Sequence, residues 1–91
     1  MNDNPLIVQG DLTVLVDVAA PQYVDARDAL ARLAELVKSP EHIHTYKISP
    51  LSIWNACAAG VAMDSIITAL HEYSRFSVSA HVVTQVSDFA A

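Results

Sequence analysis

Residues 6–18 read LIVQGDLTVLVDV, and this stretch decides the fold. A short apolar run leads into a Gln-Gly-Asp turn, and apolar residues then occupy every second position. A period of two is typical of a strand with one buried face, and Gly10 can adopt the positive φ of a tight turn. The pattern therefore predicts a β-hairpin over 6–18, with an inward face formed by Leu12, Val14, Val16 and Val18.

A long amphipathic helix is predicted to follow the hairpin. Pro21 suits the first turn of a helix, and a residue that precedes a proline avoids the helical region, so Ser39-Pro40 ends it. The apolar spacing predicts a helix of about 17 residues between these two prolines. Its inward stripe consists of Tyr23, Ala26, Leu30, Leu33, Ala34 and Val37.

One further strand and three helices complete the predicted order. The strand covers 43–48, and Ser49-Pro50 begins a helix over 50–59 because serine caps a helix and proline fits its first position. Gly60 is suited to end that helix, and its inward stripe is predicted to be Leu51, Trp54 and Ala58. Two more helices are predicted over 63–75 and from 79 to the end, the first without a side-chain cap because Ala62 precedes it.

The predicted fold class is therefore α+β, in the order β-β-α-β-α-α-α. A small sheet, formed by the hairpin and one further strand, packs against about four helices. Ala90-Ala91 fits no capping rule, and the last apolar stripe is still running there. We expect residues 1–91 to form a single domain that stops before a final strand. A sheet edge left open in this way would allow two copies to pair as a homodimer.

Composition and charge exclude several functional classes. The chain has 5 Lys+Arg against 10 Asp+Glu, which gives a formal net charge of -5. The Walker loop and the dinucleotide-binding fingerprint both require closely spaced glycines. The sequence contains neither motif, because its 2 glycines stand at positions 10 and 60. No signal peptide or membrane span is recognisable. We therefore predict a cytoplasmic protein that has no catalytic residues, binds no cofactor and does not associate with a membrane.

The metal-ligating residue types do not form a convincing site. Cys57 is the sole cysteine, which excludes a disulfide framework and a cysteine-built zinc site, and we expect an inert buried thiol. His42 and His44 would point the same way on a strand, as a ligand pair does. His71 and His81 could join them only through the fold, so we expect structural or surface histidines and no metal site.

Contact with nucleic acid is a further hypothesis. The last two predicted helices have the lengths of a helix-turn-helix, but the second carries no Lys or Arg to anchor phosphates. An acidic domain should bind DNA poorly unless its cations cluster. Any such contact would need cations on phosphates and aromatic rings on bases. The candidate residues are Arg27, Lys38, Lys47, Arg75, Tyr46, Trp54 and Phe76, although Tyr46 and Trp54 also lie on stripes assigned to the core.

Several segments resemble one known family. Residues 5–9 and 11–15, and above all residues 39–51 with Trp54-Asn55, are similar to the N-terminal domain of bacterial XPB-type DNA repair helicases. Ala58-Ala59-Gly60 and Tyr73-Ser74-Arg75 agree with the same family at the expected spacing. The chain departs from it at Ala62, where relatives carry a polar cap, at Ser79, near which they carry a proline, and after the last helix, where they continue with a basic, strand-forming stretch.

This resemblance implies a non-catalytic accessory domain of a superfamily 2 ATP-dependent 3′-5′ DNA helicase that acts in nucleotide excision repair. ATP and Mg would be bound by motor domains downstream. In archaeal relatives the region ahead of the motors has been called a damage-recognition domain, and in the eukaryotic transcription and repair complex it holds the helicase to a regulatory subunit. The resemblance therefore implies docking on the motor domains or a partner protein. The alternative is a damage-recognition domain that contacts distorted or single-stranded DNA.

Overall fold

A computed structural model describes residues 3–89 as one antiparallel sheet with helices packed on one of its faces. The predicted α+β class is confirmed, and the observed order is β-β-α-β-β-α-α-α. The elements are β1 (Leu6–Val8), β2 (Thr13–Asp17), α1 (Tyr23–Leu30), β3 (Glu35–Lys38), β4 (Ile43–Lys47), α2 (Pro50–Ala58), α3 (Met63–Tyr73) and α4 (Ala80–Phe89).

The strands lie in the order β1-β2-β4-β3, and every neighbouring pair is antiparallel. Residues directly opposite each other share a face, so the register sorts the side chains. Leu6 lies opposite Val16, and Val14 lies opposite Tyr46; all four are buried in the core. The other face carries half-buried residues such as Leu15 and is not covered by a helix to the same extent. Helices α1 and α3 contact β2 and β1, respectively.

The hairpin between β1 and β2 is confirmed, but its turn differs from the prediction. Positive φ occurs at Leu12 (φ 70°), whereas Gly10 does not use its conformational freedom. The amide of Thr13 donates to a carboxylate oxygen of Asp11 at 3.0 Å, and the amide of Leu12 donates to the Gln9 carbonyl at 3.0 Å. Leu12 is 7% exposed. Its burial in the core offsets the cost of the left-handed backbone, about 1 kcal/mol for a residue with a Cβ.

The predicted 21–37 helix is wrong in its second half. Helix α1 ends at Leu30, and β3 begins at Glu35, so the sheet has four strands where three were expected. Val37, assigned to the inward stripe, is 59% exposed. The reason is a tertiary interaction. Strand β3 pairs with β4 through the short turn at 39–42, and this pairing forms the backbone hydrogen bonds of residues 35–38, although the spacing of their apolar side chains also fits a helix.

The remaining helices agree closely with the predicted bounds. Helix α3 buries Ile66 and Leu70, and Ala62 provides no side-chain cap, as expected. Helix α4 begins after Ser79, whose hydroxyl oxygen accepts from the amide of Val82 at 3.2 Å. The predictions for Ala90 and for the end of the chain lie outside the described residues.

Within residues 3–89 no single helix is long and apolar enough to cross a membrane. Helices α2 and α3 reach the necessary length and composition only when taken together, and they are bent by 119° relative to each other.

Candidate docking surface

Helix α2 has strong signals at both ends. The hydroxyl of Ser49 accepts from the amide of Ser52 at 3.0 Å, and the Ser52 hydroxyl oxygen accepts from the Ser49 amide at 2.9 Å, which completes a capping box. At the other end Gly60 adopts φ 97° and its amide donates to the Cys57 carbonyl at 3.0 Å. The amide of Val61 reaches back to the Ala56 carbonyl, also at 3.0 Å, as in a Schellman motif.

The buried face of α2 is not the predicted one. The residues that face the core are Ser52, Ile53 and Ala56, and helix α4 packs against α2. The predicted inward stripe points to solvent instead: Leu51 is 59% exposed and Trp54 is 62% exposed. Ala58 is also exposed. We call Leu51, Trp54 and Ala58 the α2 face.

The α2 face is an unusual surface for an acidic domain. Its residues are three and four positions apart and therefore form one continuous stripe along the helix. Pro50–Ala58 contains no charged residue, although the chain as a whole carries a net charge of -5. Trp is one of the residue types enriched at the energetic centres of protein interfaces, together with Tyr and Arg. An apolar, charge-free stripe with an exposed Trp at its centre has the chemistry of a protein-docking surface.

The most constrained of the predicted DNA-contacting cations is Arg75. Its guanidinium donates to a carboxylate oxygen of Asp17 at 2.9 Å and to the carbonyl of Asn4 at 3.0 Å, and its amide donates to the Leu6 carbonyl at 2.7 Å. The Asn4 amide group donates in turn to the Ser74 carbonyl at 3.1 Å. We call this group of Asn4, Asp17, Ser74 and Arg75 the β1 latch.

The ion pair of the β1 latch also changes the pKa of Asp17. The hydrogen bond from Arg75, followed by one from the Ala19 amide, lowers the pKa of the Asp17 carboxyl below its ordinary value. Both side chains of the ion pair are 28% exposed, so water screens the pair only in part. Arg75 is therefore held by groups of its own domain, which limits its use as a phosphate anchor.

The other cations are dispersed. Arg27 lies over the ring of Tyr23, 5.5 Å from its centroid, and pairs with Asp28 at 3.2 Å on the surface. The ammonium of Lys47 donates to the backbone carbonyl of Asp11. Lys38 is exposed on β3. These contacts do not unite the four predicted cations in one basic cluster.

The predicted aromatic residues fall into two groups. Tyr46 is 6% exposed, so its ring offers no face on which a base could stack, and burial raises the pKa of its hydroxyl. Trp54 and Phe76, at 62% and 66% exposure, are accessible. Phe76 and Arg75 line one open groove of about 690 Å³ together with Asp17, Asp3 and residues 19–21. The two carboxylates make that groove a poor site for phosphate.

The candidate metal ligands do not converge. No group of three His, Cys, Asp or Glu side chains able to hold a metal occurs in the part of the chain that the structure describes. The ring of His44 lies edge-on to Tyr23, with centroids 5.9 Å apart, while His42 is exposed. Cys57 is half-buried at the edge of the core, where a buried thiol was expected.

Sequence reasoning missed two surfaces, the α2 face and the exposed strand β3. Helix α2 is apolar on both sides, so periodicity could not decide which side is buried. A usable signal was the small size of Ser52 and Ala56 on either side of Ile53, which lets a neighbouring helix approach closely. For β3, the signal was a short Ser-Pro turn between two segments that can pair.

A comparison with known proteins connects this domain to DNA helicases. A family model described as "Helicase conserved C-terminal domain" matches residues 6–91. The chain is similar over its whole length to proteins named DNA 3′-5′ helicase XPB, with 46% identity over 91 residues in Mycobacterium tuberculosis and 44% over 91 residues in Kineococcus radiotolerans. It spans only 17% and 16% of the lengths of these two relatives.

A eukaryotic relative shows the same similarity at lower identity. The general transcription and DNA repair factor IIH helicase/translocase subunit XPB of Danio rerio is 32% identical over 82 residues, which is 90% of this chain and 10% of the relative. Similarity to the bacterial and eukaryotic proteins thus covers nearly the same stretch of this chain.

Proposed function

This chain belongs to the family described as the helicase conserved C-terminal domain, and from that premise we propose that it is a non-catalytic accessory domain of an ATP-dependent 3′-5′ DNA helicase that acts in DNA repair. It docks on the motor domains or on a partner protein and so positions or regulates the helicase. ATP and Mg would be bound by the motor domains. The names of the relatives, DNA helicases and subunits of a repair factor, support this proposal.

We place the domain ahead of the motor domains, as the resemblance of residues 39–51 implies, whereas the family description speaks of a C-terminal domain. The gene that encodes the chain tests this placement. Helicase motifs encoded downstream would support it, and motifs encoded only upstream would contradict it. We also propose a cytoplasmic location, which cell fractionation tests, because the bacterial relatives are DNA helicases.

The α2 face is the observation that carries the docking proposal. Leu51 and Trp54 expose more than half of their surface, and they do so on a helix that is capped at both ends. A rigid aromatic anchor loses little conformational entropy when it binds, which favours its use at the centre of an interface. The net charge of -5 also favours a basic protein surface over phosphate groups as the neighbour.

The docking test measures binding of the 91-residue chain to separately expressed helicase motor domains from the same organism. Trp54→Ala should weaken binding by at least about tenfold, since interface Trp side chains often contribute 2 kcal/mol or more. Phe76→Ala is the matched control, because Phe76 is equally exposed but lies outside the α2 face. Both variants should keep the thermal unfolding temperature of the unmodified chain. Equal losses in the two variants, or no binding by the unmodified chain, would contradict docking through α2.

Recognition of damaged DNA is the alternative function. The exposure of Trp54 and Phe76 favours it, because two accessible rings could stack on unpaired bases. It predicts tighter binding to lesion-containing than to intact duplex, with a salt slope of a few units, in titrations at low and moderate salt. Trp54→Ala and Phe76→Ala should then both weaken lesion binding. A lack of DNA binding even at low salt would eliminate this alternative.

A further inference from the structure

Strand β3 forms an open edge of the sheet. It pairs with β4 on one side, and no other strand pairs with it among residues 3–89. All four residues of Glu35–Lys38 are exposed, including Leu36 at 53% and Val37 at 59%. An edge strand of this kind presents unpaired backbone N–H and C=O groups to any strand that approaches it.

A bulge gives this edge a particular pattern of side chains. Glu35 lies opposite Lys47 and Lys38 lies opposite Thr45, and the register shifts between Leu36 and Lys38. Lys47 and Thr45 are two positions apart on β4 and therefore share a face, and it is the half-buried face, since buried Tyr46 between them points to the core. Glu35 and Lys38 therefore share that face as well. In a regular strand without a bulge, Glu35 and Lys38 would stand on opposite faces, because they are three positions apart.

This pattern is complementary to itself. Two copies of an edge strand can pair antiparallel around a two-fold axis perpendicular to the sheet. This axis does not exchange the two faces of the sheet, so side chains on a given face of one copy meet side chains on the same face of the other copy. If the axis passes between Leu36 and Val37, Glu35 of each copy faces Lys38 of the other copy, and Leu36 and Val37 of both copies lie between the two charge pairs. We propose that a second copy of this chain pairs with β3 in this way, extending the sheet across a two-fold axis.

The interface would be small and the dimer weak. The strand has four residues, Pro40 follows closely, and each copy carries a net charge of -5. Such an edge contact is expected to have a dissociation constant on the order of 0.1 mM. The inference goes beyond the proposed docking function and does not rest on it, because the α2 face takes no part in the contact.

The test is charge reversal within β3 of the 91-residue chain. Dimerisation is measured by sedimentation velocity at protein concentrations up to about 1 mM and at 0.15 M salt, where distant charges are screened. Glu35→Lys and Lys38→Glu should each weaken the dimer by about tenfold, because each change creates two like-charge cross-strand pairs. The double variant with both changes should recover the dimerisation of the unmodified chain, since it restores opposite charges at both pairs.

Two control variants change the net charge by the same amounts elsewhere. Asp88→Lys matches Glu35→Lys, and Arg32→Glu matches Lys38→Glu; both residues are exposed and lie outside β3. Neither control should reproduce the effect of its β3 counterpart. The proposal would be overturned by a monomer at every concentration, by single β3 reversals that leave the dimer unchanged, or by a double variant that fails to recover it.

Discussion

The two edge strands of the sheet differ in how far the rest of the chain covers them. At the β1 edge, Leu6 is buried and its carbonyl accepts a hydrogen bond from the Arg75 amide, while the guanidinium of Arg75 reaches Asp17 and Asn4. At the β3 edge, every residue is exposed. One sheet thus has one edge sealed by side chains and backbone from the α3–α4 junction and one edge left open.

The difference shows where the fold is stabilised and where it is available for contact. An edge strand that is covered by other parts of its own chain cannot pair with a further strand. We therefore expect the Arg75–Asp17 ion pair at this edge to contribute to stability. The residues of β3 lie outside the buried core, so we expect substitutions there to have little effect on stability. Substitutions at the two edges should therefore separate effects on stability from effects on association.

The largest contrast is expected between two Leu→Ala changes. Leu6→Ala should lower the free energy of unfolding by about 2–4 kcal/mol, because it removes a fully buried side chain and leaves a cavity. Leu36→Ala should lower it by less than about 0.5 kcal/mol, because that side chain is 53% exposed. Urea denaturation measures both, with an unchanged dependence on urea concentration as the control. Similar losses at the two positions would refute the contrast between the edges.

A smaller effect is expected from breaking the latch itself. Arg75→Ala should cost about 1–2 kcal/mol, since it removes the two hydrogen bonds donated by the guanidinium and leaves Asp17 without its cation in a partly screened position. Arg27→Ala is the matched control, because its pair with Asp28 is more exposed, at 43% and 63%, and should change stability by less than about 0.5 kcal/mol. Chemical denaturation at neutral pH compares the two. If Arg27→Ala were the more damaging change, the latch would not be the stabilising contact.

The smallest expected effect is a loss of stability at low pH. The folded protein lowers the pKa of Asp17, so the ionised carboxylate stabilises the fold above its unfolded-state pKa, and this contribution is lost as the pH falls through the folded-state pKa. The stability advantage of the unmodified chain over Asp17→Asn should therefore shrink on acidification. In an Arg75→Ala background the same comparison should depend less on pH. Denaturation curves between pH 7 and acidic pH measure this, and an advantage that grew on acidification would contradict it.

Local patterns in the sequence predicted the parts of the fold that local interactions determine. The alternation from Leu12 to Val18 was sufficient for the hairpin, and the capping residue Ser49 and the terminating Gly60 marked the bounds of α2. Strand β3 could not be recognised in the same way, because Leu33, Ala34 and Val37 also fit a helix. Only pairing with β4, a tertiary interaction, made residues 35–38 a strand.

The candidate site was predicted less well than the fold. Trp54 was assigned to the core because an aromatic residue on an apolar stripe usually packs inside, but α2 has two apolar sides and α4 packs on the other one. Arg75 was recognised as a candidate cation, yet its partners Asn4 and Asp17 lie 71 and 58 positions away in the sequence. No local pattern reports contacts at that separation.

The distance between Asn4 and Arg75 along the chain also affects how the protein is made. Strands β1, β2 and β4 can assemble once Lys47 has left the ribosome, but the β1 edge can be sealed only after Arg75 has emerged. During that interval the nascent sheet is open on both sides and prone to pair with a neighbouring chain. Slow translation between these two points would therefore prolong the period in which newly made copies can aggregate.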